Sequence, residues 1–274
     1  MDELLIIANW LIPLIYLAMV LDYGATFLLR LRTHIRNRWI LIPILFHAAF
    51  LVLRGIQLGS PPIGSTVEIL SVIALSSMIV YWVMELLSRD RRAGFFVFLL
   101  IFLFQYTSSA FVVGNAIHPP SEAAIQHGWS GAHVIPATFS YTTLAFAAIY
   151  GLLYLMGRRD LKRHRFGLIF DRLPPLDLLS RLSWYSLLGG FIFLTISIVT
   201  GIVVFRQAGN VVQPGILGHK VALKIITGSL AWLICATTVL GKCFAKWSAS
   251  MVSSVAVSGF LVILILLVAS IFLS

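Results

Sequence analysis

HVIPATFSYTTLAFAAIYGLLYLM (residues 133–156) and SWYSLLGGFIFLTISIVTGIVVF (183–205) flank GRRDLKRHRFGLIFDRLPPLDLLSRL (157–182), and this alternation decides the fold. A helix rises 1.5 Å per residue, so about 20 apolar residues cross the hydrocarbon core of a bilayer. Each flanking run is longer than that and carries no Asp, Glu, Lys or Arg. The segment between them holds Arg158, Arg159, Lys162, Arg163, Arg165, Arg172 and Arg181, with a turn signal at Leu173-Pro174-Pro175. The pattern predicts two transmembrane helices joined by a basic loop.

Working outward, six more runs of the same kind occur: Leu4–Leu29, Trp39–Leu58, Val67–Leu87, Gly94–Gly114, Val221–Leu240 and Met251–Leu273. The loops between the eight runs alternate in charge. Arg30, Arg32, Arg36 and Arg38 lie in the first, Arg89, Arg91 and Arg92 in the third, and Lys242 and Lys246 in the seventh. With the seven of the fifth loop, these make 16 of the 20 Lys and Arg; only Arg54, Arg206, Lys220 and Lys224 fall on the other side. Basic loops stay in the cytoplasm. The predicted fold is therefore all-α: a polytopic bundle of eight transmembrane helices, one membrane domain over residues 1–274, with both termini outside.

Composition agrees. At 59% hydrophobic and 11% charged residues, the chain cannot be an ordinary soluble globule. The net charge of +10 sits in loops where it orients the chain and meets anionic lipid, so nucleic acid is not an expected partner. The first run follows Asp2 and Glu3 rather than a basic region and is too long for a signal peptide, so it reads as a retained helix. Cys235 and Cys243, eight residues apart on one helix, are about 12 Å apart along its axis, too far for a disulfide. With no CxxC and no CxxCH they read as structural. No internal repeat suggests a transporter, and nothing resembles a Ser-His-Asp set, a zinc site or a phosphate loop. Gly189, Gly190 and Gly201 suit close helix packing.

Ionisable groups inside a membrane are costly and mark interior or functional positions. His34 and His164 fall in basic loops and read as solvated; His118 and His127 belong to the outer loop 115–132. Glu68 opens the third helix, where it favours the positive dipole end, and Asp22 and Glu85 have arginines nearby. His133 begins the fifth helix and His219 immediately precedes the seventh, so both belong to the outer mouth of the bundle. A neutral imidazole can ligate haem iron through one nitrogen, and two such residues could hold a porphyrin between them. Trp129, Phe139 and Tyr141 are near enough in sequence to build its walls, and Arg54, Lys220 and Lys224 could meet its propionates. His47 lies eleven residues from Leu58, about 16 Å of helical rise, and should not share that iron. It is either a second, inner site or a satisfied core histidine.

Trp129-Ser-Gly-Ala-His133-Val134 with Ser140-Tyr141, Leu173-Pro174-Pro175 through Leu182-Ser183 to Gly190-Phe191, Leu194-Thr195 and Gly201, and Ser253-Ser254-Val255 with Gly259-Phe260 recur in order and topological place. On these motifs the C-terminal half resembles the cytochrome c assembly family of membrane haem-handling proteins. His47 and Glu68 are similar to the N-terminal part of its shorter, eight-helix HemX-like branch. The resemblance implies that His133 is an outer ligand of non-covalent haem b. His219 rests on position alone. Full haem-delivering members carry a tryptophan-rich, aspartate-ended segment between the sixth and seventh helices, whereas residues 206–220 here contain neither residue type.

Three functions follow as expectations. The first is a haem-binding protein of the cell membrane, supporting cytochrome c maturation or haem transfer with other assembly proteins and without synthase activity of its own. The second is a non-catalytic partner or regulator of a haem-synthesis enzyme. The third is a haem-free scaffold subunit. An optical spectrum separates the third from the others, and co-purified partners separate the first two.

Overall fold

The structure is a computed structural model that describes residues 2–29, 37–59, 61–63, 66–92, 94–112, 130–164, 173–208 and 216–272. Among the described residues there are eight α-helices: α1 (Asp2–Leu29), α2 (Leu41–Leu58), α3 (Thr66–Ser88), α4 (Gly94–Val112), α5 (Ser130–Lys162), α6 (Leu176–Ala208), α7 (Ile216–Cys243) and α8 (Ala249–Phe272). A short 3-10 turn, Asn37–Ile40, leads into α2. Among the described residues there is no strand. All eight helices are long and apolar enough to cross a membrane, as the runs predicted. Along each, large apolar side chains face outward, as Leu4, Ile7, Leu14 and Leu21 do on α1. Hydrocarbon tails accept such a surface, so apolar burial does not drive these helices together; close packing and internal hydrogen bonds do.

Several helices outrun their apolar stretches. α5 continues to Lys162 and α6 starts at Leu176, consuming both ends of the basic loop. Arg159 and Lys162 fall in the last turn of α5, and Asp177 in the first turn of α6, where each complements the helix dipole. Pro174-Pro175 immediately precede α6, a position that needs no amide hydrogen. α7 likewise begins at Ile216, so His219 lies inside its first turns rather than before it. Apolar length measures the bilayer; backbone hydrogen bonding carries a helix past it. α2 ends on Gly59, whose φ of 66° is the left-handed cap that glycine adopts without strain.

The chain forms two compact units, Met1–Gly131 and Ala132–Ser274. In the first, α1–α4 surround a polar chain rather than a purely apolar core. Pro13, inside α1, has no amide hydrogen, so the Asn9 carbonyl four residues earlier lacks its usual helical donor. The Ser109 hydroxyl of α4 donates to it instead at 2.8 Å, and Asn9 Nδ2 returns a bond to the Ser109 carbonyl at 3.0 Å. At the other end of the unit, buried Glu85 accepts from Tyr23 (2.6 Å), Asn37 (3.1 Å) and Arg91 (2.9 Å). This confirms the expected arginine pairing for Glu85 and ties α1, α3 and the 3-10 turn together. Gly94 lets α4 approach that cluster: a Cβ there would sit 2.2 Å from the Tyr23 ring and 2.4 Å from the Tyr81 hydroxyl.

In the second unit, α5 and α6 run antiparallel along a seam with a rung every seven residues. Ser183 donates to the Ala147 carbonyl at 2.8 Å, Ser140 to the Gly190 carbonyl at 2.9 Å, and His133 to the Ser197 carbonyl at 2.7 Å. Seven residues are two turns, so all three rungs lie on one face of each helix. Leu144, Leu194, Ala231, Cys235 and Ile263 join α5, α6, α7 and α8 in an apolar core below the His133 rung. Cys235 is buried there and Cys243 is exposed, and both are free thiols.

Candidate functional site

His133 is the outermost rung of the α5–α6 seam and the site is built around its ring. A carbonyl oxygen only accepts, so the 2.7 Å contact with Ser197 O puts the proton on Nδ1. In the Nδ1–H tautomer the lone pair is on Nε2, which has no partner among the described residues. A backbone carbonyl that holds one imidazole nitrogen while the other ligates is the arrangement that orients a metal-binding histidine. The Ser197 hydroxyl adds a second tie, lying 3.2 Å from Nδ1 and donating to the His133 carbonyl at 3.3 Å.

The Ser197 carbonyl is reachable because of what stands one turn beyond it. In an α-helix the carbonyl of residue 197 points toward residue 201, whose side chain normally shields it. Residue 201 is glycine, and a Cβ built there would lie 2.8 Å from His133 Nδ1 and 2.9 Å from Cε1. The imidazole thus occupies the space a side chain would fill. The same carbonyl also accepts from Thr200 Oγ1 at 3.0 Å.

The aromatic residues expected as walls serve the seam. Phe139 packs against Phe193 with ring centroids 5.4 Å apart, and Tyr141 packs on the apolar core about two turns below His133. Trp232, whose indole donates to Thr195 Oγ1 at 3.0 Å and packs against Phe191, extends the aromatic lining between α6 and α7. Ser197, Thr195 and Trp232 were not legible as site neighbours; the available signal was the four-residue interval between Ser197 and Gly201. His219, Lys220 and Lys224 lie on the first turns of α7, with side chains outside the described residues; Trp129, His118 and His127 lie outside them altogether.

His47 stands in the first unit, fully buried, with both ring nitrogens engaged. Nδ1 is 2.6 Å from the Tyr16 hydroxyl and Nε2 is 2.9 Å from Ser71 Oγ. The Ser71 proton is committed to Gln105 Oε1 at 3.0 Å, so Ser71 accepts from His47 Nε2–H, and Tyr16 donates to Nδ1. Gln105 Nε2 continues the chain to Ser109 Oγ at 3.0 Å. Every bond in this row points the same way, and it links α1, α2, α3 and α4. Of the two alternatives for His47, the geometry is that of a satisfied core histidine. Arg54 is drawn to Glu68, 3.8 Å away, and donates to Gln57 at 3.2 Å. Glu68 therefore does more than cap a dipole: it balances the arginine at the end of this unit.

Eight bilayer-length helices with internally satisfied polar rows define an integral, multi-pass membrane protein, here with a histidine held as a ligand is held. Residues 63–274 match the model of the family described as cytochrome c assembly protein, and the chain belongs to that family. A haem-related membrane function follows from that membership. The chain is also similar to the protein HemX of Brevibacillus brevis, 29% identical over 196 residues, covering 69% of this chain and 70% of that protein. No solved structure matches.

Proposed function

We propose that this protein binds haem b non-covalently through His133 and supports cytochrome c maturation or haem transfer at the outer face of the cell membrane. The observation that carries this reading is the His133 ring: Nδ1–H held by a backbone carbonyl, Nε2 without a partner among the described residues, and a glycine cradle cut to the imidazole. Those residues fit haem iron, which takes a neutral imidazole as an axial ligand. Bound haem supplies the iron porphyrin that a cytochrome requires. The chain's own part is to ligate, orient and screen that group. In this reading His219 would be the second residue to hold the iron, Lys220 and Lys224 would meet the propionates, and Trp129, four residues before His133, would lend an aromatic face. Arg54 is not needed, because Glu68 already answers its charge.

The reading excludes independent attachment of haem to an apocytochrome, since residues 206–220 supply no tryptophan platform. Its partners are other assembly proteins and anionic lipid. Both termini face outward, on the strength of the basic loops. A membrane-impermeant thiol reagent applied from outside should label a cysteine placed at His127 and leave one placed at Arg163 untouched; the reverse pattern would overturn the orientation. The function itself is tested by the optical spectrum of the purified protein. A haem Soret band that persists through size exclusion is expected. A chain that purifies without haem and takes up none when titrated with haemin would support the scaffold reading instead.

A further inference from the structure

We infer that Gly201 is the positioning residue of the His133 ligand: by leaving the Ser197 carbonyl uncovered, it fixes the ring as the Nδ1–H tautomer and presents Nε2. The rungs at Ser140–Gly190 and Ser183–Ala147 set the register of α5 against α6, which brings His133 level with Ser197 and Gly201. At that level the nearest acceptor to Nδ1 among the described residues is the Ser197 carbonyl at 2.7 Å, with the Ser197 hydroxyl beside it at 3.2 Å. A methyl group on residue 201 would meet Nδ1 and Cε1, the two ring atoms on the edge that faces α6. The approaches of 2.8 and 2.9 Å are too close for real contacts, so the ring has to turn. Turning withdraws Nδ1–H from its acceptor and moves Nε2 off its line.

The helix itself loses nothing by the change. Alanine is a better helix former than glycine, and the Ser197 carbonyl keeps the Thr200 hydroxyl at 3.0 Å. A general loosening of α6 is therefore not the expected consequence, and a neighbour on the same helix separates the possibilities. A Cβ at Gly189 meets nothing within 4 Å. Of these two glycines, only Gly201 should act on the ligand.

The ligand half of this inference rests on the haem reading; the tautomer half does not, and the test keeps them apart. Full-length protein labelled with 15N-histidine is compared as wild type, Gly189→Ala and Gly201→Ala, first without haem and then titrated with haemin. The His133 signals are assigned by their loss in His133→Ala. Without haem, wild type and Gly189→Ala should show a bare Nε2 and a protonated Nδ1, and Gly201→Ala should lose that pattern. Haemin affinity should then fall by about 10–100-fold in Gly201→Ala alone, the range typical for disturbing the partner of a metal-bound histidine. The inference is overturned if wild-type His133 is protonated on Nε2, which needs no variant to fold. It is also overturned if Gly201→Ala keeps wild-type signals and affinity, or if Gly189→Ala loses haemin equally. A wild-type protein with the stated tautomer and no haemin binding would refute the haem reading and leave the positioning role standing.

Discussion

Replacing His133 by alanine should leave a folded protein that has lost its haem. The expected haem content after purification is below about a tenth of wild type, in keeping with removal of an iron ligand rather than of its partner. Stability should change little. His133 is only partly buried, and the Ser197 carbonyl it releases still accepts from Thr200 at 3.0 Å, so no orphaned polar group remains. One lost hydrogen bond is worth about 1 kcal/mol or less inside a membrane protein. Absorbance at the Soret band, normalised to protein, reads the first effect, and thermal unfolding in detergent reads the second. Unchanged haem content and spectrum would show that another residue holds the iron.

His47→Leu should do the opposite, destabilising the first unit while leaving haem in place. The Tyr16 hydroxyl would lose its acceptor, and Ser71 would lose the donor that fills its second site. Hydrogen bonds in membrane proteins average about 0.6 kcal/mol, but a buried group left without a partner costs about 1–3 kcal/mol. The orphan term dominates here because the leucine side chain would fill the space between Tyr16 and Ser71 that the imidazole bridges, keeping the stranded donor from the stranded acceptor. A loss of about 2–4 kcal/mol is expected for the two groups together. It should appear as a lowered unfolding midpoint with Soret absorbance per folded protein unchanged. Loss of haem from His47→Leu, with stability intact, would make the first-unit histidine the ligand and reverse the assignment of the two sites.

These paired outcomes turn on a distinction invisible along the chain. His47 and His133 both belong to apolar helices, in a setting that penalises unsatisfied polar groups. Tyr16 and Ser71 come from two other helices to close both ring nitrogens of the first, and Gln105, from a third, fixes the direction by accepting from Ser71. Among the described residues Ser197 meets one nitrogen of the second, and its nearest contact is a backbone carbonyl, which leaves no residue-type signature. Gly201 was legible as a packing residue, but not as the cradle of a ring, because the partner that fills its space lies 68 residues earlier.

By itself, the sequence determined the number of membrane helices, the all-α class and the family. Each follows from local quantities: apolar length against bilayer thickness, charge per loop, and short motifs in order. Tertiary structure alone decided how far α5, α6 and α7 extend beyond their apolar runs, and which histidine has both nitrogens spent on packing and which has one held by a backbone carbonyl. Those outcomes depend on hydrogen-bond acceptors delivered by neighbouring helices. Hydropathy records the solvent around a helix, not the partner across its seam, so the chemistry of His133 exists only once α5 and α6 have met in register.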